Sequence, residues 1–313
     1  MAYVNTLLGT IHPEEMGVTA AHEHIMWGPP GWEYNPSLWF DIDKAFEKCY
    51  HDLMDFKLLG GRTFVDCAGI GMGRDLDIYI KLASSTGVHI VASTGFWADD
   101  GIAPHFRTKD IDYFEELFVR ELTQGMGHTS VKAGVIKVGN GIDTFTKLEE
   151  IEHRAAARAA KRTGAAIITH GVNFALKQLE IFQSEGLDLS RVIVSHLDES
   201  TAIAKDLDRQ VAQAGAYVGY DHLGVEDWST MHFSMPDERR VERILEMIEA
   251  GFQDNILLST DANCYHLRLG EPTPHNVGHT LRYFVPKMRQ AGISEEAING
   301  MLVENPKRVL PIQ

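Results

Sequence analysis

Val18-Thr-Ala-Ala-His-Glu-His24 is a short apolar run that ends in two imidazoles separated by one residue. Alternate side chains leave an extended strand on the same side, so His22 and His24 point to one place. Neutral imidazole nitrogens brought together in this way suit a divalent transition metal, whose other ligands must then come from elsewhere in the chain. A lone His-x-His fits equally well a surface strand or core histidines with satisfied hydrogen bonds. What separates these readings lies further along the sequence.

Three later apolar runs also end in a potential ligand: Ala165-Ala-Ile-Ile-Thr-His170, Arg191-Val-Ile-Val-Ser-His196 and Asn255-Ile-Leu-Leu-Ser-Thr-Asp261. Each places its polar residue where a buried parallel strand would leave the core. β-like runs recur at 18–22, 62–67, 88–93, 133–138, 165–169, 191–195, 215–220 and 255–260. Between them, apolar residues at helical spacing predict helices over 41–59, 75–85, 113–125, 147–162, 174–185, 201–214 and 237–250, with 279–291 and 294–302 helical after the last strand. Strand–helix alternation predicts a parallel α/β sheet, and eight repeats favour closure into a (β/α)8 TIM barrel over an open doubly wound sheet. The 313 residues fit such a barrel as a single domain, 1–313. Strand ends share one mouth of a barrel, so His22, His24, His170, His196 and Asp261 are expected to meet there.

Lys137 joins them from Ala133-Gly-Val-Ile-Lys-Val138, an otherwise apolar strand in which an unpaired ammonium would be strongly unfavourable. Such a lysine reaches solvent, pairs with a carboxylate, or is a neutral amine that has taken up carbon dioxide as a carbamate, an anion able to bridge two cations.

Composition narrows the remaining classes. Hydrophobic residues make up 44% and charged residues 23%, as in a soluble globular protein. A net charge of −15 without a Lys/Arg cluster argues against nucleic acid as a partner and disfavours anionic membranes. The N-terminal dodecapeptide lacks the features of a signal peptide, and no segment reaches the roughly 18 apolar residues of a membrane span. Cys49, Cys67 and Cys264 are far apart and read as reduced thiols of a cytoplasmic protein. Gly69-Ile-Gly-Met-Gly73 lacks the dinucleotide-binding spacing, and no Gly-x-Ser-x-Gly elbow offers a serine nucleophile.

Taken in order, His22-Glu-His24, Val65-Asp66 with Gly73-Arg-Asp75, Ala92-Ser-Thr-Gly-Phe-Trp97, Ala133-Gly-Val-Ile-Lys137-Val, Ile168-Thr-His170, Ser195-His196 and Thr260-Asp261 resemble the phosphotriesterase-related group of the amidohydrolase superfamily, which includes phosphotriesterases and phosphotriesterase-like lactonases. The resemblance spans nearly the whole chain. It implies a binuclear metal centre at the C-terminal mouth of the strands: His22, His24 and Asp261 on the more buried metal, His170 and His196 on the more exposed one, and carboxylated Lys137 with a hydroxide bridging the two. Zinc is the first expectation, with cobalt, manganese or iron suited to the same donors. The bridging hydroxide would attack an ester centre polarised by the exposed metal, with Asp261 orienting it and accepting its proton.

The resemblance also implies an outward proton path through His222 with Glu199 or Asp198, although relatives usually carry aspartate where Glu199 stands. Trp97 occupies a place where lactonases commonly have tyrosine, and His222 one where many lactonases have arginine. Both features are more like a phosphotriesterase. The segment Leu223-Gly-Val-Glu-Asp-Trp228, by contrast, lacks the long insertion of the best-known triesterases. Trp97, Phe106, Trp228 and Tyr265 are the expected substrate-pocket aromatics, with Trp27, Met231 and Phe233 in the same loops. The expected substrate is a small, neutral, partly apolar ester, a lactone first, with organophosphate triester cleavage as a side activity. A dedicated phosphotriesterase, an N-acyl amide or carboxylic ester hydrolase, and a metal-containing binding protein without turnover are the alternatives. The resemblance further implies a homodimer.

Overall fold

The computed structural model describes residues 2–226, 235–267 and 276–313. A hairpin of β1 (Val4–Thr6) and β2 (Gly9–Ile11) precedes β3 (Val18–Trp27), α1 (Ile42–Leu58), β4 (Gly61–Asp66), α2 (Leu76–Thr86), β5 (His89–Gly95), α3 (Ile111–Thr123), β6 (Val135–Gly139), α4 (Lys147–Thr163), β7 (Ala166–His170) and α5 (Ala175–Ser184). There follow β8 (Val192–Val194), α6 (Ser200–Ala204), α7 (Leu207–Gln213), β9 (Tyr217–Tyr220), α8 (Asp237–Glu249), β10 (Ile256–Leu258) and β11 (Asn263–His266), with helical turns from Thr280 to Val309. Aspartates and a threonine open the first four long helices: Asp41, Asp75, Asp110 and Thr146 each accept hydrogen bonds from first-turn amides.

Strands β3 to β10 pair in sequence order, all parallel, and β11 returns to pair in parallel with β3. The eight strands foreseen from the sequence form the (β/α)8 barrel. Its last strand is split. Ile256–Leu258 pairs with β9, the chain turns at Asp261 with a φ of 51°, and Asn263–His266 then pairs with β3, so one segment carries the sheet across the seam.

Two layers of apolar residues explain the alternation along the strands. Val65, Val91, Val135, Ala166, Ile168, Ile193, Tyr217 and Leu257 pack together within the barrel. The intervening Phe64, Ile90, Ile136, Ile167, Val192, Val218, Ile256 and Leu258 join the larger cluster that includes helix residues such as Leu53, Phe118, Ala156 and Ile244. Continuing the inner register two residues at a time from Val135 and Ile168 reaches Lys137 and His170.

Three local features differ from the sequence reading. The strand expected over 18–22 runs to Trp27, and a register shift between Ala20 and Glu23 marks a bulge, with Ala20 opposite Phe64 and Glu23 opposite Asp66. The helix expected over 201–214 is divided at Asp206, whose φ of 56° cannot continue a right-handed helix. The short strand after Asp261 was not foreseen, because its four residues carry no alternation of their own.

Candidate metal centre

Each expected ligand is carried by a barrel strand or by the turn just beyond one. His22 and His24 come from β3, Lys137 from β6, His170 from β7, His196 from the turn after β8, and Asp261 from the kink between β10 and β11. All six line one cavity of about 690 Å³. His196 and Asp261 both have positive φ, 62° and 51°, a backbone region sparsely used by residues other than glycine and found where a side chain must be aimed.

The side chains are closely drawn together. Lys137 Nζ lies 2.9 Å from His22 Nε2, and His170 Nδ1 lies 2.8 Å from His196 Nε2. His24 Nε2 meets Asp261 Oδ1 at 2.9 Å, and His22 Nε2 is 3.5 Å from the same oxygen. Beside them, His222 stacks on His196 with ring centroids 4.3 Å apart and 7° between planes, and its Nε2 is 3.5 Å from Asp261 Oδ2.

Asp221, which the sequence reading did not single out, organises this group. Its Oδ2 lies 2.7 Å from His22 Nδ1, and its Oδ1 lies 2.9 Å from His196 Nδ1 while accepting the His196 amide at 2.8 Å. A carboxylate at Nδ1 of each ring fixes the proton there and leaves each Nε2 as a bare lone pair directed into the cavity. The signal was present in the sequence as a step of two from Tyr217 and Gly219, the same inward register that supplies Lys137 and His170.

Electrostatics follow from this crowding. Burial, reinforced by the Lys137 nitrogen, lowers the His22 imidazole to about 3. Burial and the adjacent His196 ring hold His170 well below the usual histidine range. For Asp261, burial opposes ionisation, but His22, His222 and His24 pull it well below the ordinary carboxylate range. Burial alone would lower His222, yet its hydrogen bond to Asp261 and the charges of Asp198, Asp261 and Asp221 carry it up to about 9. Glu23, buried between the two β3 histidines, is pushed up by burial to about 7 despite four donors that pull it down.

These residues fit a pair of divalent cations. Nε2 lone pairs of His22 and His196 converge with His24, His170 and one carboxylate, the nitrogen–oxygen donor set that zinc and its neighbours take. Lys137 is 1% exposed; its Nζ contacts His22 and the Thr169 carbonyl at 3.3 Å, and no carboxylate pairs with it among the described residues. It neither reaches solvent nor forms an ion pair with a described residue, which sets aside two of the three readings the sequence offered for it. Gly95 lets the neighbouring strand approach it: with φ 91°, a Cβ there would stand 1.9 Å from the Lys137 carbonyl oxygen.

Of the expected proton-path residues, Glu199 lines the cavity, with Oε1 3.8 Å from His222 Nδ1. Asp198 does not line it. Fully buried, it accepts from the His222 amide at 3.0 Å and from Arg240 Nε at 2.8 Å, which makes it an anchor for the His222 loop. Among the expected pocket aromatics, Trp97 lines the cavity, its ring 5.2 Å from His170, and Trp27, Met72, Ile142 and Val172 add apolar surface. Phe106 packs instead against Phe96, Tyr113 and Phe114, and Tyr265 is buried against Phe40, so neither lines the cavity among the described residues. Phe106 lies in a loop as the sequence suggested and Tyr265 in β11, and the rings of both pack against other aromatic side chains. Trp228, Met231 and Phe233 lie outside the described residues.

The barrel gathers histidines, a lysine and an aspartate in one cavity, and the likeness of the chain to known hydrolases makes it a hydrolase of ester or amide bonds. The phosphotriesterase family model matches residues 2–310, and the chain belongs to that family. It is 34% identical to a phosphotriesterase homology protein of Mycobacterium tuberculosis, across 100% of this chain and 99% of that one. It is 30% identical to N-acetyltaurine hydrolase of Bos taurus, across 98% and 97% of the two chains. Among solved structures, one from work on engineering organophosphate hydrolysis from a weak promiscuous lactonase template superposes with a TM-score of 0.90 at 28% identity, covering 98% of this chain and 99% of the other. A multiply substituted PTE-like lactonase of Deinococcus radiodurans superposes at 0.89 with the same identity and coverage.

Proposed function

We propose that this protein hydrolyses a small, neutral, partly apolar carbonyl ester, a lactone first, at a binuclear metal centre. The observation that carries the reading is the cavity wall: Trp27, Met72, Trp97, Ile142 and Val172 surround the donor cluster, and Lys137 is the only lysine or arginine lining it among the described residues. Such a wall accepts an uncharged acyl group and offers little to an anionic one.

His22, His24 and Asp261 would hold one cation and His170 and His196 the other, with Lys137 as a carbamate between them. Two cations held there supply Lewis-acid polarisation of the scissile carbonyl and a nucleophilic water at neutral pH. Asp261, aimed by His24 and His222, accepts the proton released on attack. His222, protonated beside Asp261, hands a proton from Nδ1 to Glu199, 3.8 Å away, as it takes up the new one at Nε2. Asp221 keeps the His22 and His196 tautomers fixed throughout. Trp97 packs over His170 and orients the acyl portion.

A second reading, N-acyl amide hydrolysis, is favoured by the His222–Glu199 pair, since an imidazole backed by a carboxylate can protonate a departing amine. The similarity to N-acetyltaurine hydrolases points the same way. The deciding measurement is kcat/KM of the metal-loaded enzyme for γ- and δ-lactones, N-acetyltaurine and other N-acyl amides, and an activated phosphotriester in one buffer. A lactone preference of about a hundredfold, roughly 2.7 kcal/mol of differential transition-state binding, supports the first reading. The same preference for an amide replaces it with the second, and a triester preference makes the protein a phosphotriesterase. Inactivity of the loaded enzyme on all three classes would leave a binding protein.

A further inference from the structure

Glu23 stands between the two β3 histidines, fully buried and outside the cavity lining. Its carboxylate accepts four hydrogen bonds, all from one short segment. Ser259 Oγ and the Thr260 amide donate to Oε1 at 2.7 and 2.9 Å, and Thr260 Oγ1 and the Ala262 amide donate to Oε2 at 2.6 and 2.8 Å.

That segment is the break in the last strand. Ser259 N still reaches Tyr220 O on β9, while Asp261 N has already crossed to His22 O on β3. A left-handed residue at such a crossing turns the amides on either side of it out of the sheet ladder, and an unpaired buried amide is costly. Thr260 N and Ala262 N are those two amides, and both end on Glu23. The Ser259 hydroxyl that donates to Glu23 also accepts the His22 amide at 2.9 Å, tying the bend to the first histidine.

We propose that Glu23 is a positioning residue of the metal centre: its two oxygens lock the 259–262 bend and thereby aim the Asp261 carboxylate at His22, His24 and His222. The inference rests on the reading of Asp261 as ligand and proton acceptor. Glutamine at this position keeps the shape but presents an NH2 group to donors that need an acceptor, so the bend loses its lock.

The test compares wild type, Glu23→Gln, Asp261→Asn and the double variant, well below their melting temperatures. It reads kcat, KM, and cation affinity by chelator competition. Expected for Glu23→Gln is a kcat at least about tenfold lower with KM within about threefold, and cation affinity lower by about tenfold. In the Asp261→Asn background the same change adds little further loss, because its effect passes through Asp261. A folded Glu23→Gln enzyme with wild-type kcat and cation affinity, or losses that multiply in the double variant, overturns the proposal. If Asp261→Asn alone leaves turnover and cation binding intact, the reading of the metal centre itself fails. Should Glu23→Gln not fold, Ser259→Ala with Thr260→Val removes both hydroxyl donors and keeps both amides; wild-type kcat and affinity in that variant equally overturn the proposal.

Discussion

Oδ2 of Asp221 lies 2.7 Å from Nδ1 of His22, and the other oxygen of the same carboxylate serves His196, so one buried side chain sets the tautomer of both imidazoles. His22 and His196 pull this carboxyl well below its usual range against the effect of burial. Asp221→Asn can accept through only one oxygen, and its amide nitrogen donates where an acceptor is required. Cation affinity measured by chelator competition is expected to fall about 10–100-fold. An unchanged affinity would remove Asp221 from this role.

Asp261→Asn keeps an oxygen donor but not a proton acceptor. We expect it to retain much of its metal and to lose roughly a hundredfold or more in kcat. Undiminished turnover in the metal-loaded variant would rule out proton transfer at Asp261.

Lys137→Ala removes the buried amine and with it any carbamate. Bound metal, measured by elemental analysis after dialysis, should drop, and activity should recover in part with short carboxylic acids that replace the missing anion. Both metals and full activity without rescue would show that Lys137 does not bridge.

Trp97 and Phe106 were alike in the sequence and differ in the structure. Trp97→Ala should raise KM or shift substrate preference, because the ring forms cavity wall beside His170. Phe106→Ala should leave kcat/KM near wild type and lower stability by about 1–3 kcal/mol, as expected for a packed aromatic. The reverse pattern would put the substrate on the other side of the mouth.

Glu152 on α4 is fully buried, and neither oxygen has a hydrogen-bond partner among the described residues. Burial, with Glu149 and Asp99 nearby, holds its carboxyl well above the usual range. The unfolded chain therefore releases this proton at a lower pH than the folded one, so stability falls as pH rises above the ordinary glutamate value. Glu152→Leu should stabilise the fold by about 1–3 kcal/mol at pH 8 and by less at pH 5. Equal shifts in denaturation midpoint at the two pH values would contradict this.

The sequence made the barrel and the gathering of six polar side chains in one cavity legible because both obey simple periods. Apolar runs ending in His170, His196 and Asp261 report strand exits directly, and Lys137 stands out by charge in an apolar strand. What it hid depends on backbone irregularity. Asp221 lies one residue before a more conspicuous histidine, and its partners come from β3 and from the turn after β8. The separation of Asp198, sealed by Arg240, from Glu199, which faces the cavity, is decided by a helix some forty residues further on. Phe106 and Tyr265 show the limit of composition: aromatics near the mouth are visible in sequence, but the direction of their rings is not.

The strand that bends at Asp261 has a consequence for how the protein comes into being. Glu23 and Ala262, joined across the seam, are 239 positions apart, so the contacts that shut the barrel are among the most distant in the chain. A nascent polypeptide that has emerged only as far as β9 already carries His22, His24, Lys137, His170 and His196, but neither Asp261 nor the strand that seats it. Pairings of such long range form late and slowly. Asp261 is thereby seated only when the barrel closes, and a half-made chain carries the other five proposed donors without it.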